Sequence, residues 1–66
     1  MVILFKSETC PRCRVLSQKL DAAGIDYKTT LDVKEIIAQG FMSVPVLKVD
    51  NEYMDFGQAV KWVNNQ

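Results

Sequence analysis

The chain has 66 residues, 48 % of them hydrophobic, with eight basic and eight acidic side chains, two cysteines and no histidine. That length supports one domain at most, spanning residues 1–66 and burying roughly 60 % of the surface its unfolded chain exposes, and the apolar content excludes a disordered segment. Zero formal net charge and no large basic patch exclude a nucleic-acid surface, and no apolar run approaches the ~18 residues of a membrane span.

Residues 2–6 open the chain as a short continuous apolar run closed by Lys6, the pattern of a strand covered on both faces. Ser7-Glu8-Thr9 reads as a turn, with Thr9 as the expected N-cap of a helix. Pro11 suits the first helical turn, where a missing N–H is no loss. Cys13, Leu16, Leu20 and Ala23 then form an inward stripe, and Gly24 stops the helix. Ile25, Tyr27 and Thr29 alternate with polar residues as a second strand.

Asp32 followed by Glu35 predicts a capping box, with Val33, Ile36 and Ile37 as the buried stripe of a short helix ending at Gly40. Val44–Val49 reads as a third strand, Asp50-Asn51 as a hairpin turn and Glu52–Met54 as a fourth strand. Asp55 and Gln58 predict a cap for the last helix, whose apolar face is Phe56, Ala59 or Val60, and Val63. The order β-α-β-α-β-β-α predicts an α/β fold: a parallel crossover from the first strand to the second, a hairpin of the last two, and one four-stranded mixed sheet flanked by three helices.

The chemistry lies in Cys10-Pro11-Arg12-Cys13, where the first strand hands over to the first helix. A helix start favours the thiolate, the reactive form of cysteine, through its unpaired N–H groups and its dipole. The charge distribution adds to this. Residues 1–20 carry Lys6, Arg12, Arg14 and Lys19 against Glu8, a net of +3, and the remainder carries −3. Arg12 and Lys6 are therefore the expected thiolate-stabilising cations. Cys10, outermost, is expected to attack a substrate disulfide, and Cys13, one turn further on the inward stripe, to resolve the mixed disulfide. Cysteines at i and i+3 lie about 5–6 Å apart at Cβ, close enough to bond after a modest adjustment.

Two other readings of the pair exist. A metal or iron–sulfur carrier would use Cys10 as a ligand, but zinc usually takes four Cys or His ligands and this chain has two, so such a site needs a dimer or added carboxylates. An interaction module would keep the cysteines without using them. No charged leader or apolar h-region precedes the first strand. A cytoplasmic, monomeric protein is expected, where C-x-x-C reads as redox or metal chemistry and a lasting structural disulfide is disfavoured.

The strand–C-P-x-C–helix opening, the segment Ser43-Val44-Pro45 and the seven-element order together resemble the thioredoxin superfamily, in its small glutaredoxin branch, across essentially the whole chain. The resemblance implies a thioredoxin-like fold and dithiol–disulfide oxidoreductase activity, with a redox-active Cys10–Cys13 disulfide and no bound cofactor. It implies a cis Val44-Pro45 bond beside the cysteines, with the Val44 backbone pairing with a bound peptide or glutathione and Pro45 shaping the loop. Met42, just before this segment, is a candidate for the substrate groove.

The chain departs from the branch in three places. Ser7 stands where a basic residue is usual, Arg12 replaces the aromatic of C-P-Y-C, and Asp55-Phe56-Gly57-Gln58 replaces the Gly-Gly stretch that seats glutathione's carboxylate. An acid at Asp55 opposes a carboxylate ligand. Phe56 is similar to the phenylalanine of glutaredoxin-like proteins that pass electrons from thioredoxin reductase to ribonucleotide reductase. The resemblance thus implies protein disulfides or glutathione mixed disulfides as substrates, with thioredoxin reductase or glutathione as the electron source.

Overall fold

The alternation of side chains along two central strands organises the whole molecule. In the computed structural model, which describes residues 1–66, β1 (Val2–Phe5) and β3 (Val46–Val49) run antiparallel with Leu4 opposite Leu47 and Phe5 opposite Val46. Successive residues on a strand point to opposite faces. The Leu4–Leu47 pair therefore serves one face and the Phe5–Val46 pair the other. Both faces are covered, which is why β1 reads as an unbroken apolar run and β3 is interrupted only by Lys48.

On the first face, α1 (Pro11–Ala22) and α3 (Phe56–Asn64) bury Leu16, Leu20, Ala59 and Val63 against Leu4 and Leu47. On the second, the short α2 (Lys34–Ala38) sets Ile36 against Phe5 and Val46. β2 (Lys28–Thr30) pairs parallel with β1, and β4 (Glu52–Met54) pairs antiparallel with β3, giving the sheet order β2-β1-β3-β4. The β-α-β-α-β-β-α order and the mixed four-stranded sheet agree with the sequence reading. No helix is long and apolar enough to cross a membrane.

Several boundaries differ from expectation for physical reasons. Gly24, at φ +69, closes α1 with the N–H of Gly24 donating to the Asp21 carbonyl and that of Ile25 to the Leu20 carbonyl, both at 3.1 Å. This paired closure uses the left-handed conformation that glycine adopts at little steric cost. Ile25 is thereby part of the helix stop, and β2 begins only at Lys28. Tyr27 also lies outside the strand, its Oη within 2.6 Å of Ser17 Oγ and 3.1 Å of Asp21 Oδ1. Ala23, placed on the inward stripe by its spacing, is the C-cap and is exposed.

The expected Asp32–Glu35 capping box does not form. Asp32 Oδ1 accepts the N–H of Lys34 at 3.1 Å, while Glu35 turns away to Lys48 and Tyr53. Ile37 is 60 % exposed and leaves Ile36 as the only fully buried side chain of that helix. The third strand starts at Val46 instead of Val44, because the Val44-Pro45 bond is cis and proline has no N–H for the ladder. The fully formed Asp55–Gln58 capping box matches its prediction, with Gln58 N–H donating to Asp55 Oδ1 at 2.8 Å and Asp55 N–H to Gln58 Oε1 at 3.1 Å.

Candidate active site at the start of the first helix

β1 ends at Phe5 and α1 begins at Pro11, so the five-residue connection from Lys6 to Cys10 delivers the first cysteine to the helix end. Cys10 itself is the N-cap, in place of the expected Thr9: its backbone is extended (φ −101, ψ 105), and its Sγ accepts the Cys13 N–H at 3.1 Å. Serine, threonine, asparagine and aspartate commonly fill this role with a side-chain oxygen, satisfying an otherwise unpaired N–H. Here a sulfur does so. Pro11 occupies the first helical position, as predicted.

Cys10 and Cys13 are joined as a disulfide with Cα atoms 5.2 Å apart, and neither is left as a free thiol. Their environments differ. Cys10 is half-buried, whereas Cys13 is 2 % exposed, on the helix face that also buries Leu16 and Leu20. The outer and inner positions read from the spacing are therefore present in the structure. No third histidine, cysteine or carboxylate joins the two sulfurs to complete a metal-ligand cluster within the chain.

One cavity borders this pair, and two more adjoin it in succession. A cleft of about 380 Å³ borders both cysteines and is lined also by Lys6, Ser7, Glu8 and Arg14. An apolar hollow of about 240 Å³ lies between Val33, Ile36, Phe41, Met42 and Val44, and shares Ser7 with the cleft. A third, of about 280 Å³, is bounded by Arg12, Val44, Pro45, Asp55, Phe56 and Gly57. Ser7 therefore links the cleft to the apolar hollow, and Val44 links the hollow to the Arg12 side.

The candidate residues fall into place around these spaces. Lys6 lies on the cleft beside Cys10. Arg12 points the other way, its guanidinium 5.7 Å from the centre of the Phe56 ring, within the range of a cation–π contact. Pro45 is buried, Val44 is half-buried between two of the cavities, and Met42 is 98 % exposed on the rim of the apolar one. Asp55 lines the Arg12 cavity with its carboxylate engaged at the N-terminus of α3.

Arg14, one of the cations that the sequence gathers around the cysteines, lines the cleft with both sulfurs. One contributor escapes the motif reading. Phe41 follows a second glycine closure, in which Gly40 N–H donates to the Ile37 carbonyl and Phe41 N–H to the Ile36 carbonyl, each at 3.0 Å. That turn seats Phe41 against Ile36 and aims the chain toward Met42. The glycine was a visible stop signal, but what it positions was not.

No family model matches the chain, and no curated protein matches it either. Among solved structures it is similar to the glutaredoxin-like protein NrdH-redoxin from Escherichia coli, described as having a thioredoxin-like activity profile. The TM-score is 0.80 at 17 % identity, covering 97 % of this chain and 91 % of that one. The chain has the thioredoxin-like fold, with a C-x-x-C disulfide at the start of its first helix.

Proposed function

We propose that the chain is a dithiol–disulfide oxidoreductase that reduces disulfides in other proteins, acting as a cytoplasmic monomer. One observation carries this reading: Cys10 Sγ caps α1 while Cys13 is buried one turn behind it, bonded to it. A sulfur that accepts a backbone N–H and sits at the positive end of a helix is stabilised as an anion.

In the reduced protein the Cys10 thiolate attacks one sulfur of the substrate disulfide. A Cys10–substrate S–S bond forms, the substrate's own S–S bond breaks, and the released sulfur leaves as a thiolate that takes up a proton. Cys13 then loses its proton and attacks Cys10 Sγ. The second substrate sulfur departs, and the Cys10–Cys13 disulfide is left behind. The substrate gains two electrons from the dithiol and two protons, one given up by Cys13 and one taken from solvent, into which Cys10 released its own on ionising. Lys6 and Arg12 are the cations that favour the anion, and Val44, Pro45, Met42 and Phe56 form the groove in which the substrate segment lies.

Resetting the site takes two electrons from a second dithiol or from two glutathione molecules. The N–H of Gln58, which a ligand carboxylate could approach at the start of α3, already donates to Asp55. A second carboxylate there meets a like charge. This favours thioredoxin reductase over glutathione as the electron source. The thioredoxin-like activity profile of the glutaredoxin-like neighbour supports that choice. Ribonucleotide reductase is the substrate that the resemblance of the Phe56 segment points to.

The test supplies one protein disulfide, such as insulin, with two electron sources: NADPH with thioredoxin reductase, and glutathione with its own reductase. Turnover with the first, lost in Cys10→Ser and stalled as a mixed disulfide in Cys13→Ser, is the expected result. A wild-type protein whose disulfide dithiothreitol reduces, but which reduces no substrate with either source, refutes the reading.

A further inference from the structure

We propose that the disulfide this protein reduces is borne on an acidic segment of its partner, selected by a collar of three cations, Lys6, Arg12 and Arg14, set on two sides of Cys10. The inference rests on the oxidoreductase reading and names its substrate class. Lys6 and Arg14 line the cleft that holds both sulfurs, and Arg12 lines the separate cavity on the Pro45 side. Small anions would fill one space or the other. Only an extended chain that crosses Cys10 reaches cations in both.

The collar is open to a ligand. The two ion pairs of the molecule, Met1 with Asp50 and Lys48 with Glu35, leave all three cations unpaired. Two acids face the same cavities, Glu8 on the cleft and Asp55 beside Arg12. Both keep their charge, Asp55 at the Gln58 N–H of α3 and Glu8 exposed, so three cations against two acids leave a net of +1, and the segment's carboxylates meet the cations rather than the occupied N-terminus of α3. The Arg12 guanidinium stands over the Phe56 ring, 5.7 Å from its centre, and with no ion-pair partner its N–H donors are left for a carboxylate. Such complementarity acts mainly on encounter rate and partner choice.

The experiment uses two disulfide-linked peptides, identical except that aspartate or lysine flanks the cysteines, and follows single-turnover oxidation of the reduced protein by loss of free thiols. The acidic peptide is expected to react roughly tenfold faster at low salt. The ratio should shrink as ionic strength rises from ~0.01 to ~1 M and the screening length falls from ~30 to ~3 Å. In the Arg12→Glu/Arg14→Glu double variant the order of the two peptides should reverse. A change in Cys10 reactivity alters both rates together and leaves their ratio alone, so the ratio reports on the collar.

Equal rates for the two wild-type peptides, or a ratio indifferent to salt, overturn the collar without touching the oxidoreductase reading. The wild-type salt series decides the matter even if the double variant does not fold. Failure to reduce either peptide, with both thiols demonstrably free, overturns that reading and this inference with it.

Discussion

The N–H of Cys13 donates to Cys10 Sγ at 3.1 Å, so the buried cysteine's backbone holds the outer cysteine's sulfur in place. The chain thereby uses one sulfur of its C-x-x-C pair as a helix cap, and the contact that caps the start of the helix also favours charge on that sulfur once the disulfide is reduced. In the reduced protein at pH 7, iodoacetamide should alkylate Cys10 at least ~10-fold faster than Cys13, since reactivity follows thiolate character and exposure. Peptide mapping after timed quenching measures both rates in the same sample. Equal rates, or faster labelling of Cys13, would remove the basis for assigning attack to Cys10.

Asp55 serves two opposed ends. It caps α3 through Gln58, and in the proposed function it also repels an anionic ligand from the same N-terminus. Glycine is a tolerable N-cap, costing only a few tenths of a kcal/mol relative to aspartate, whereas alanine costs about 1 kcal/mol. Asp55→Gly should therefore raise the rate with glutathione as electron source at little loss of stability, and Asp55→Ala should raise it with a larger loss. A glutathione-coupled assay run beside thermal unfolding checks both. If neither variant gains rate, the carboxylate is a cap and nothing more.

The course of the chain was readable where local and global preferences agree. Apolar strands covered on both faces, glycine stops at Gly24 and Gly40, and the Asp55–Gln58 box all act within a few residues of themselves. The misread features depend on distant partners. Asp32-x-x-Glu35 has the spacing of a capping box, yet Lys48 and Tyr53, paired side by side across β3 and β4, draw Glu35 away from sequence separations of 13 and 18. Cys10 was legible as the outer of the two sulfurs but not as the cap, because cysteine is not a usual N-cap residue and threonine, as at Thr9, is. The cis bond before Pro45 came from family resemblance alone. Proline leaves either isomer open, and trans is the more common.

Leu16 is fully buried on the face of α1 that carries Cys13, packed in one cluster with Leu4, Leu20, Leu47, Ala59 and Val63. Truncating such a leucine removes apolar contacts and leaves a cavity, at about 2–5 kcal/mol. In a domain of this size each 1 kcal/mol moves Tm by about 4–8 °C. Leu16→Ala should lower Tm by more than ~8 °C, whereas Val15→Ala, at a site 42 % exposed, should stay within ~0.5 kcal/mol of the parent. Urea unfolding of both variants measures the contrast. Similar losses at the two positions would contradict the assignment of the core.

Glu35 ties α2 to the sheet, its Oε2 accepting from Lys48 Nζ at 2.8 Å and from the Tyr53 phenol. The Lys48 hydrogen bond first, and the Tyr53 bond second, hold the Glu35 carboxyl below its ordinary 4.5. The bond to Glu35 likewise holds Lys48 above 10.5 and Tyr53 above 10.0. The folded chain therefore binds fewer protons than the unfolded one just below pH 4.5, and more above pH 10. Glu35 contributes stability that is present above pH 4.5 and lost as pH falls through its lowered folded value. Lys48 and Tyr53 contribute stability that is present below pH 10 and lost as pH rises through their raised ones. Glu35→Gln should lower Tm by a constant amount between about pH 5 and pH 9, and the gap from the parent should narrow on either side of that window. Thermal unfolding of both proteins from acid to alkaline pH resolves the two limbs. A gap that stays constant down to about pH 3 would mean that the charge on Glu35 contributes nothing and that its hydrogen bonds alone anchor the helix.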